Sequence, residues 1–404
     1  MKKIFVLIIA AQIACHSNAD AQIWKKVADK VKQTVSDKTV DKAGNATSDA
    51  YDKATNVQVS SNGSVTSGAS GTTDNSSTTA GYRAYSNYDF VPGDTVLFED
   101  HFTDDQDGEF PSHWELESGQ GALNKVNNVE AFSITQGGYG IVHPRLKTKS
   151  YLTDPFTVEF DYYQDNGGGY GTYVFLYYTD KNRDEQRGVV SFNEHGSIGT
   201  SGFPSKDFNA DYPSGESENA FYKRWHHCAL IYKNNQLKCY IDQYRILNVP
   251  SLNAVPASIG FGGSASPELP VVFANVRVAS GGQMNMTGKK FTESKIVTHG
   301  ITFDVDQSTI KPESMGTLNM IVQVLKNNPD LKFEIGGHTD NTGTAAHNLT
   351  LSQQRADAVK AQLVSMGIDG TRLTTKGYGD AQPISDNSTE EGKANNRRVE
   401  FVKQ

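Results

Sequence analysis

Apolar residues occupy every second position through Phe156, Val158, Phe160 and Tyr162, with Thr157, Glu159 and Asp161 between them. Successive side chains of a strand point to opposite faces, so this pattern predicts a half-buried strand. YVFLYY (173–178) is a continuous aromatic and aliphatic run, and further strands are predicted at 188–192, 226–233, 237–242, 257–262 and 270–279. Many short strands broken by Gly, Pro, Asn and Asp turns predict an all-β sandwich over residues 88–282. Within it, WHHCALIYKNNQLKCYID reads as a hairpin turning at Asn234-Asn235. That register puts Cys228, Leu230, Leu237, Cys239 and Ile241 on one apolar face. The two cysteines become diagonal neighbours, either buried free thiols or a disulfide.

After Ser280 the period lengthens. ITFD (301–304) predicts a short strand. Pro312 then opens a helix in which Leu318, Ile321, Val322 and Leu325 recur at helical spacing, ending near Asn328-Pro329. KFEIGG (332–337) predicts a strand, Leu351 to Met366 a helix closed by Gly367, and RLTTKGYG (372–379) and VEFVK (399–403) two more strands. This alternation predicts an α/β sandwich domain over residues 295–404. The chain is therefore expected to be multidomain.

The first 87 residues read differently. IFVLIIAA (4–11) follows Lys2 and Lys3, and Ala19-Asp20-Ala21 fits a cleavage site, so residues 1–21 are expected to be a signal peptide. Ala14-Cys15 offers the alternative of an acylated lipoprotein. Ile23, Val27, Val31 and Val35 recur at steps of four and predict an amphipathic helical tether over 22–56. Residues 57–87 are nearly all Ser, Thr, Gly, Asn and other small residues. They hold too little apolar surface to offset their ordering entropy and are read as a flexible linker.

Charge narrows the partners. A net charge of −8 over 404 residues, with no basic stripe, argues against nucleic acid and against anionic lipid surfaces. Beyond residues 4–11 no long uncharged apolar run predicts a membrane-spanning helix. The charged, proline-bearing loops argue against a membrane barrel.

The densest chemistry is GHTDNTGTAAHNLTLSQQRA (337–356). His338 and His347 are nine residues apart with no third ligand at metal spacing, so no metal is expected and both read as hydrogen-bonded structural residues. Ser352, inside a helix, is no strained nucleophile. Asp340 falls just past a strand's C-terminal end, where α/β sheets present ligand groups, and Arg355 follows on the first turns of the next helix. Facing one crevice, the two would suit a zwitterion, Asp340 taking an ammonium and Arg355 a carboxylate. A direct Asp340–Arg355 salt bridge pinning loop to helix is the alternative.

GHTDNTG…N…LSQQRADAV followed by GYGDAQP…DN…EG…NNRRVEF resembles the C-terminal peptidoglycan-binding domain of the OmpA family, over roughly residues 295–404. The resemblance implies non-covalent capture of the peptidoglycan stem peptide at the zwitterionic end of diaminopimelate. It implies that Asp340 and Arg355 are the two principal ligand residues. Phe303 and Asp304, in TFDVD, would line the same pocket, with Thr339, Asn348, Leu351 and Arg398 in support. Gly336 and Lys393 depart from the family's usual residues, and neither touches the implied clamp.

In the preceding region FEDHFTDDQDGEFPSHWEL, TVEFDYY and VFANVRVASGG resemble a laminin-G/concanavalin-like jelly roll. EFDYYQ (159–164) is similar to the acidic strand of concanavalin-like glycanases, with Glu159 and Asp161 on one face. Retaining hydrolysis needs two carboxyls about 5–5.5 Å apart, one of them an acid. Gln164 at the third position cannot donate a proton as an acid does, so a solvated strand face is expected. TDDQDG (103–108) departs from an acidic calcium loop at Thr103 and lacks the twelfth-position glutamate, so an acidic turn is expected. Trp114, Tyr139, Tyr163, Tyr170, Tyr173 and Trp225 could stack on sugars or fill the core.

The expected function is thus a non-enzymatic envelope anchor without cofactor. It would be exported to the periplasm or outer membrane and tether a β module to peptidoglycan, leaving that module to bind a glycan or an envelope protein. The alternatives are a wall-docked glycan hydrolase using Glu159 and Asp161, or an outer-membrane lipoprotein with a purely structural role.

Overall fold

The computed structural model describes residues 88–165, 171–213, 221–282 and 291–404. The signal peptide, tether and linker read from residues 1–87 lie outside them, as does Tyr170. All described residues belong to one compact unit, Thr78–Gln404. No helix among them is long and apolar enough to cross a membrane.

The first half is β throughout. Its strands are β1 (Thr95–Asp100), β2 (Trp114–Val126), β3 (Val129–Pro144), β4 (Phe156–Tyr163), β5 (Thr172–Thr179), β6 (Glu185–Phe192), β7 (Ile198–Ser201), β8 (Phe208–Ala210), β9 (Trp225–Lys233), β10 (Gln236–Ile241), β11 (Tyr244–Val249), β12 (Pro256–Ala265) and β13 (Val271–Ser280). They form one antiparallel sheet in the order β11-β10-β9-β4-β13-β3-β12-β5-β6-β7-β8, with β1 added to β13 and β2 to β3. β4 and β6 stand five strand steps apart in that order, roughly 24 Å in a flat sheet. Yet the rings of Phe160 and Phe192 meet at 5.0 Å, so the sheet curls over its own apolar face. The core thus enclosed holds Trp114, Phe132, Phe261 and Phe273 in mutual edge and stacked contacts.

The β9–β10 hairpin forms as the pattern predicts. Asn234 and Asn235 take φ of 49° and 66°, the positive pair a tight two-residue hairpin turn demands. Cys228 faces Ile241 and Cys239 faces Leu230 across the pair, and both cysteines are buried free thiols.

The C-terminal half is an α/β domain. Its sheet, in the order β14-β17-β15-β16, consists of β14 (Lys295–Thr298), β15 (Phe333–His338), β16 (Leu373–Gly379) and β17 (Val399–Lys403). Helices α1 (Met315–Asn327), α2 (Ala345–Ser365) and α3 (Glu390–Asn396) complete it. Two expectations are corrected. ITFD is no strand of this sheet: Phe303 makes a lone bridge to Ile310 that closes a loop, and the edge strand is β14. α2 begins six residues before Leu351, capped by the Thr344 side chain, because the polar start AAHNLT carries no apolar period. Arg355 therefore lies in the middle of α2, not on its first turns.

The halves dock directly. The Asn395 amide on α3 accepts from Val96 N and donates to Val96 O, both at 2.9 Å, standing in for a strand neighbour along β1. On α1, Gly316 lies against the Phe90 carbonyl so closely that a Cβ would sit 1.7 Å from its oxygen. Asn319 donates to the Tyr88 carbonyl at 3.2 Å.

Candidate functional site

Asp340 leaves the end of β15 in the loop before α2 and is 8% exposed. Its Oδ1 accepts from Thr342 N at 2.8 Å, a local turn that fixes the carboxylate's orientation. Its Oδ2 accepts from Arg397 Nη1 at 2.7 Å. Burial alone would raise its pKa, but the Arg397 and Thr342 hydrogen bonds outweigh that and hold it below the usual 3.8. Asp340 is thus a buried, ionised acceptor.

Arg355 extends from α2 onto the loop that carries Phe303. Its guanidinium stacks on Phe303 with 4.9 Å to the ring centroid. Nε donates to Gln307 O at 2.9 Å and Nη2 to Asp304 O at 3.5 Å. These carbonyls belong to the loop that the Phe303–Ile310 bridge closes, so the loop holds the arginine through its backbone while the Asp304 side chain stays exposed. Arg355 feels the charges of both Asp340 and Arg397. Among the described residues Asp340 is ion-paired to Arg397 and not to Arg355, so the direct Asp340–Arg355 salt bridge is not formed.

The supporting positions divide. Asn348, buried, donates to Asp340 O at 3.3 Å and approaches Asp380 Oδ2 at 3.5 Å. Thr339 is buried beside Asp340 and its Oγ1 has no hydrogen-bond partner. Leu351 is buried on α2. Arg398 points elsewhere, donating to Glu400 Oε1 at 2.8 Å and to the carbonyls of Asn396 and Gln382. The arginine on Asp340 is its neighbour Arg397, which sequence reading passed over. Arg397 also pairs with Glu99 of β1 through its other terminal nitrogen.

The histidines are placed differently from each other. His347 bonds Asp306 at 2.6 Å on the surface. His338 is buried against Tyr378, rings stacked at 4.8 Å, and neither ring nitrogen is hydrogen-bonded, contrary to expectation. Burial and the charge of Arg398 pull its pKa down to about 4.

In the β half, the face carrying Glu159 and Asp161 is not solvated as expected. Glu159 is 9% exposed and accepts from Arg277 Nη1 at 2.7 Å. Asp161 contacts His227 Nδ1 at 2.9 Å and accepts from Asn275 at 2.7 Å. Charges on adjacent strands neutralise the two carboxylates, which lets Glu159 be buried and Asp161 half-buried. At the acidic turn, Asp105 accepts from Ser112, while Asp100 accepts from Phe102 N and Trp114 Nε1. Asp104 and Asp100 lie against different nitrogens of His113, at 3.5 and 3.7 Å. Trp114 is core, Tyr163 and Trp225 pack together half-buried, and Tyr139 is exposed beside Tyr173.

Residues 302–397, which carry Asp340, Arg355 and the Phe303 loop, match the OmpA family and form an OmpA family domain. The Probable lipoprotein YiaD of Escherichia coli (strain K12) is 46% identical over 104 residues, 26% of this chain and 48% of that protein. Peptidoglycan-binding protein ArfA of Mycobacterium tuberculosis (strain ATCC 25618 / H37Rv) is 44% identical over 107 residues, 26% of this chain and 33% of the relative. The crystal structure of the peptidoglycan-associated lipoprotein from Burkholderia pseudomallei aligns at 28% identity and TM-score 0.26, over 30% of this chain and 98% of that one. The chain thus spans half or less of the length of these two curated relatives.

Proposed function

We propose that the protein is a non-covalent peptidoglycan anchor of the cell envelope, holding its β half against the wall. The observation that carries this reading is the opposed pair: a buried, ionised Asp340 carboxylate and an Arg355 guanidinium held in place by the Phe303 ring and two backbone carbonyls. The ligand it fits is the amino-acid head of diaminopimelate, its ammonium on Asp340 and its carboxylate on the remaining donors of Arg355. Phe303, Asp304, Thr339, Asn348 and Leu351 build the walls, and Arg398 braces the loop behind them. The relatives named as a peptidoglycan-binding protein and as a lipoprotein support wall binding and an envelope location.

The β half is read as a laminin-G/concanavalin-like jelly roll that binds a glycan or an envelope protein, with the curled antiparallel sheet in support. It is read as non-enzymatic, since Glu159 and Asp161 are each committed to protein partners. The test is cosedimentation of the full chain with purified sacculi. Free meso-diaminopimelate should release it, and pimelate, which lacks both amino groups, should not; equal release by the two would refute zwitterion recognition.

The pH response follows from the direction of the Asp340 shift. A carboxyl held below 3.8 stays charged through mild acid, so ammonium capture is kept until pH falls through that depressed value. Pelleting should be level from about pH 8 to pH 5. A decline centred near pH 6 would assign control to a histidine instead.

A further inference from the structure

Arg397 has two acid partners. One terminal nitrogen donates to Asp340 Oδ2 at 2.7 Å, and the other meets Glu99 Oε2. Glu99 belongs to the β half: it sits on β1 directly across from Arg277 on β13, whose Nε is 3.7 Å from Glu99 Oε1. Its side chain is 13% exposed, and the pull of His101, Arg397 and Arg277 overcomes burial to keep it ionised. Docking along β1 and α3 brings the two domains' charges together here.

From this geometry we infer that Glu99, outside the OmpA family domain, is a positioning residue for the wall site, and that the β half is therefore part of the binding apparatus. The inference rests on the peptidoglycan reading above. A guanidinium facing a lone carboxylate tends to close on it with two parallel N–H bonds, which would occupy both oxygens. Glu99 draws one arm of Arg397 away, so Asp340 gives it a single oxygen and keeps lone-pair capacity for an incoming ammonium. Glu99 also balances charge. Its carboxylate offsets the Arg397 guanidinium, which Asp340 otherwise offsets alone. Without Glu99 the surroundings of Arg397 are one unit more positive, which favours a plain carboxylate over an ammonium-bearing one.

The experiment is titration calorimetry of the full-length protein and its Glu99→Gln and Glu99→Asp variants with free meso-diaminopimelate and with pimelate. Glu99→Gln keeps the shape and removes the charge. It should weaken diaminopimelate binding ~10-fold while leaving pimelate unchanged or tighter, so that the preference between the two collapses. Glu99→Asp should restore most of the preference. Wild-type affinity in Glu99→Gln, or an equal loss for both ligands, would overturn the inference, the second because a merely structural role lowers both alike. A wild-type protein that binds neither ligand would instead remove the peptidoglycan reading itself.

Discussion

Asp340→Ala and Arg355→Ala should each reduce pelleting with sacculi roughly 10- to 100-fold, as expected when one partner of a charge-assisted hydrogen bond worth ~1.5–3 kcal/mol is lost. The two fail by different routes. Asp340→Ala removes the ammonium acceptor and leaves Arg397 with Glu99 alone, so the site becomes one charge more positive. Arg355→Ala removes the carboxylate clamp together with its stack on Phe303 and its hold on the Gln307 and Asp304 carbonyls, which loosens the loop as well. Asp340→Asn separates charge from shape, since an amide oxygen can still accept from Thr342 N. It should bind as poorly as Asp340→Ala while unfolding close to wild type. Wild-type pelleting by both alanine variants would sink the clamp.

How far the site was legible depends on which residues a periodic pattern reaches. The hairpin at Asn234-Asn235, the helix opened by Pro312 and the strand VEFVK were visible because an apolar period or a turn residue fixes each locally. Strands β2 and β3 were not: WELESGQGALNKV is largely exposed and VEAFSITQGGYGIVHP is buried only in patches, so neither shows a clean alternation. Helix α3, EEGKANN, has one buried apolar side chain, and its start is marked by the Thr389 cap and two first-turn glutamates rather than by an apolar period. Asp340 and Arg355 stood out as isolated charges at a strand end and on a helix.

Arg397 could have been separated from Arg398 by parity. Side chains alternate along an extended chain, so Arg398 shares its face with Glu400 and binds it, while Arg397 must point the other way. Glu99 had no such signal. Its partner lies 298 residues away on another domain, and only docking creates the contact.

The same docking covers a charge network whose disruption should destabilise the β half strongly. Arg277 is 9% exposed and donates to Glu159 at 2.7 Å and to Gly93 O at 3.2 Å, with Glu99 at 3.7 Å. Arg277→Ala takes the main partner from buried Glu159 and a second partner from half-buried Glu99, and should cost ~3–5 kcal/mol, seen as a lower urea midpoint. His227 and Arg397 keep partial hold of Glu159 and Glu99, which sets the loss toward the lower end. Replacing the pair together, Arg277→Met with Glu159→Met, should recover much of it, because an apolar pair of similar volume avoids the desolvation of both ions. Acid should distinguish the variants further. Glu159 and Glu99 are held below their usual 4.5, so the stability they contribute is present above that value and lost as pH falls through the depressed ones. Without Arg277 that depression shrinks, and the loss moves to higher pH. If Arg277→Ala matches wild type in both urea and acid, the network contributes nothing to holding the β half together, and the grip of Arg277 on Glu99 cannot be part of what steadies Arg397.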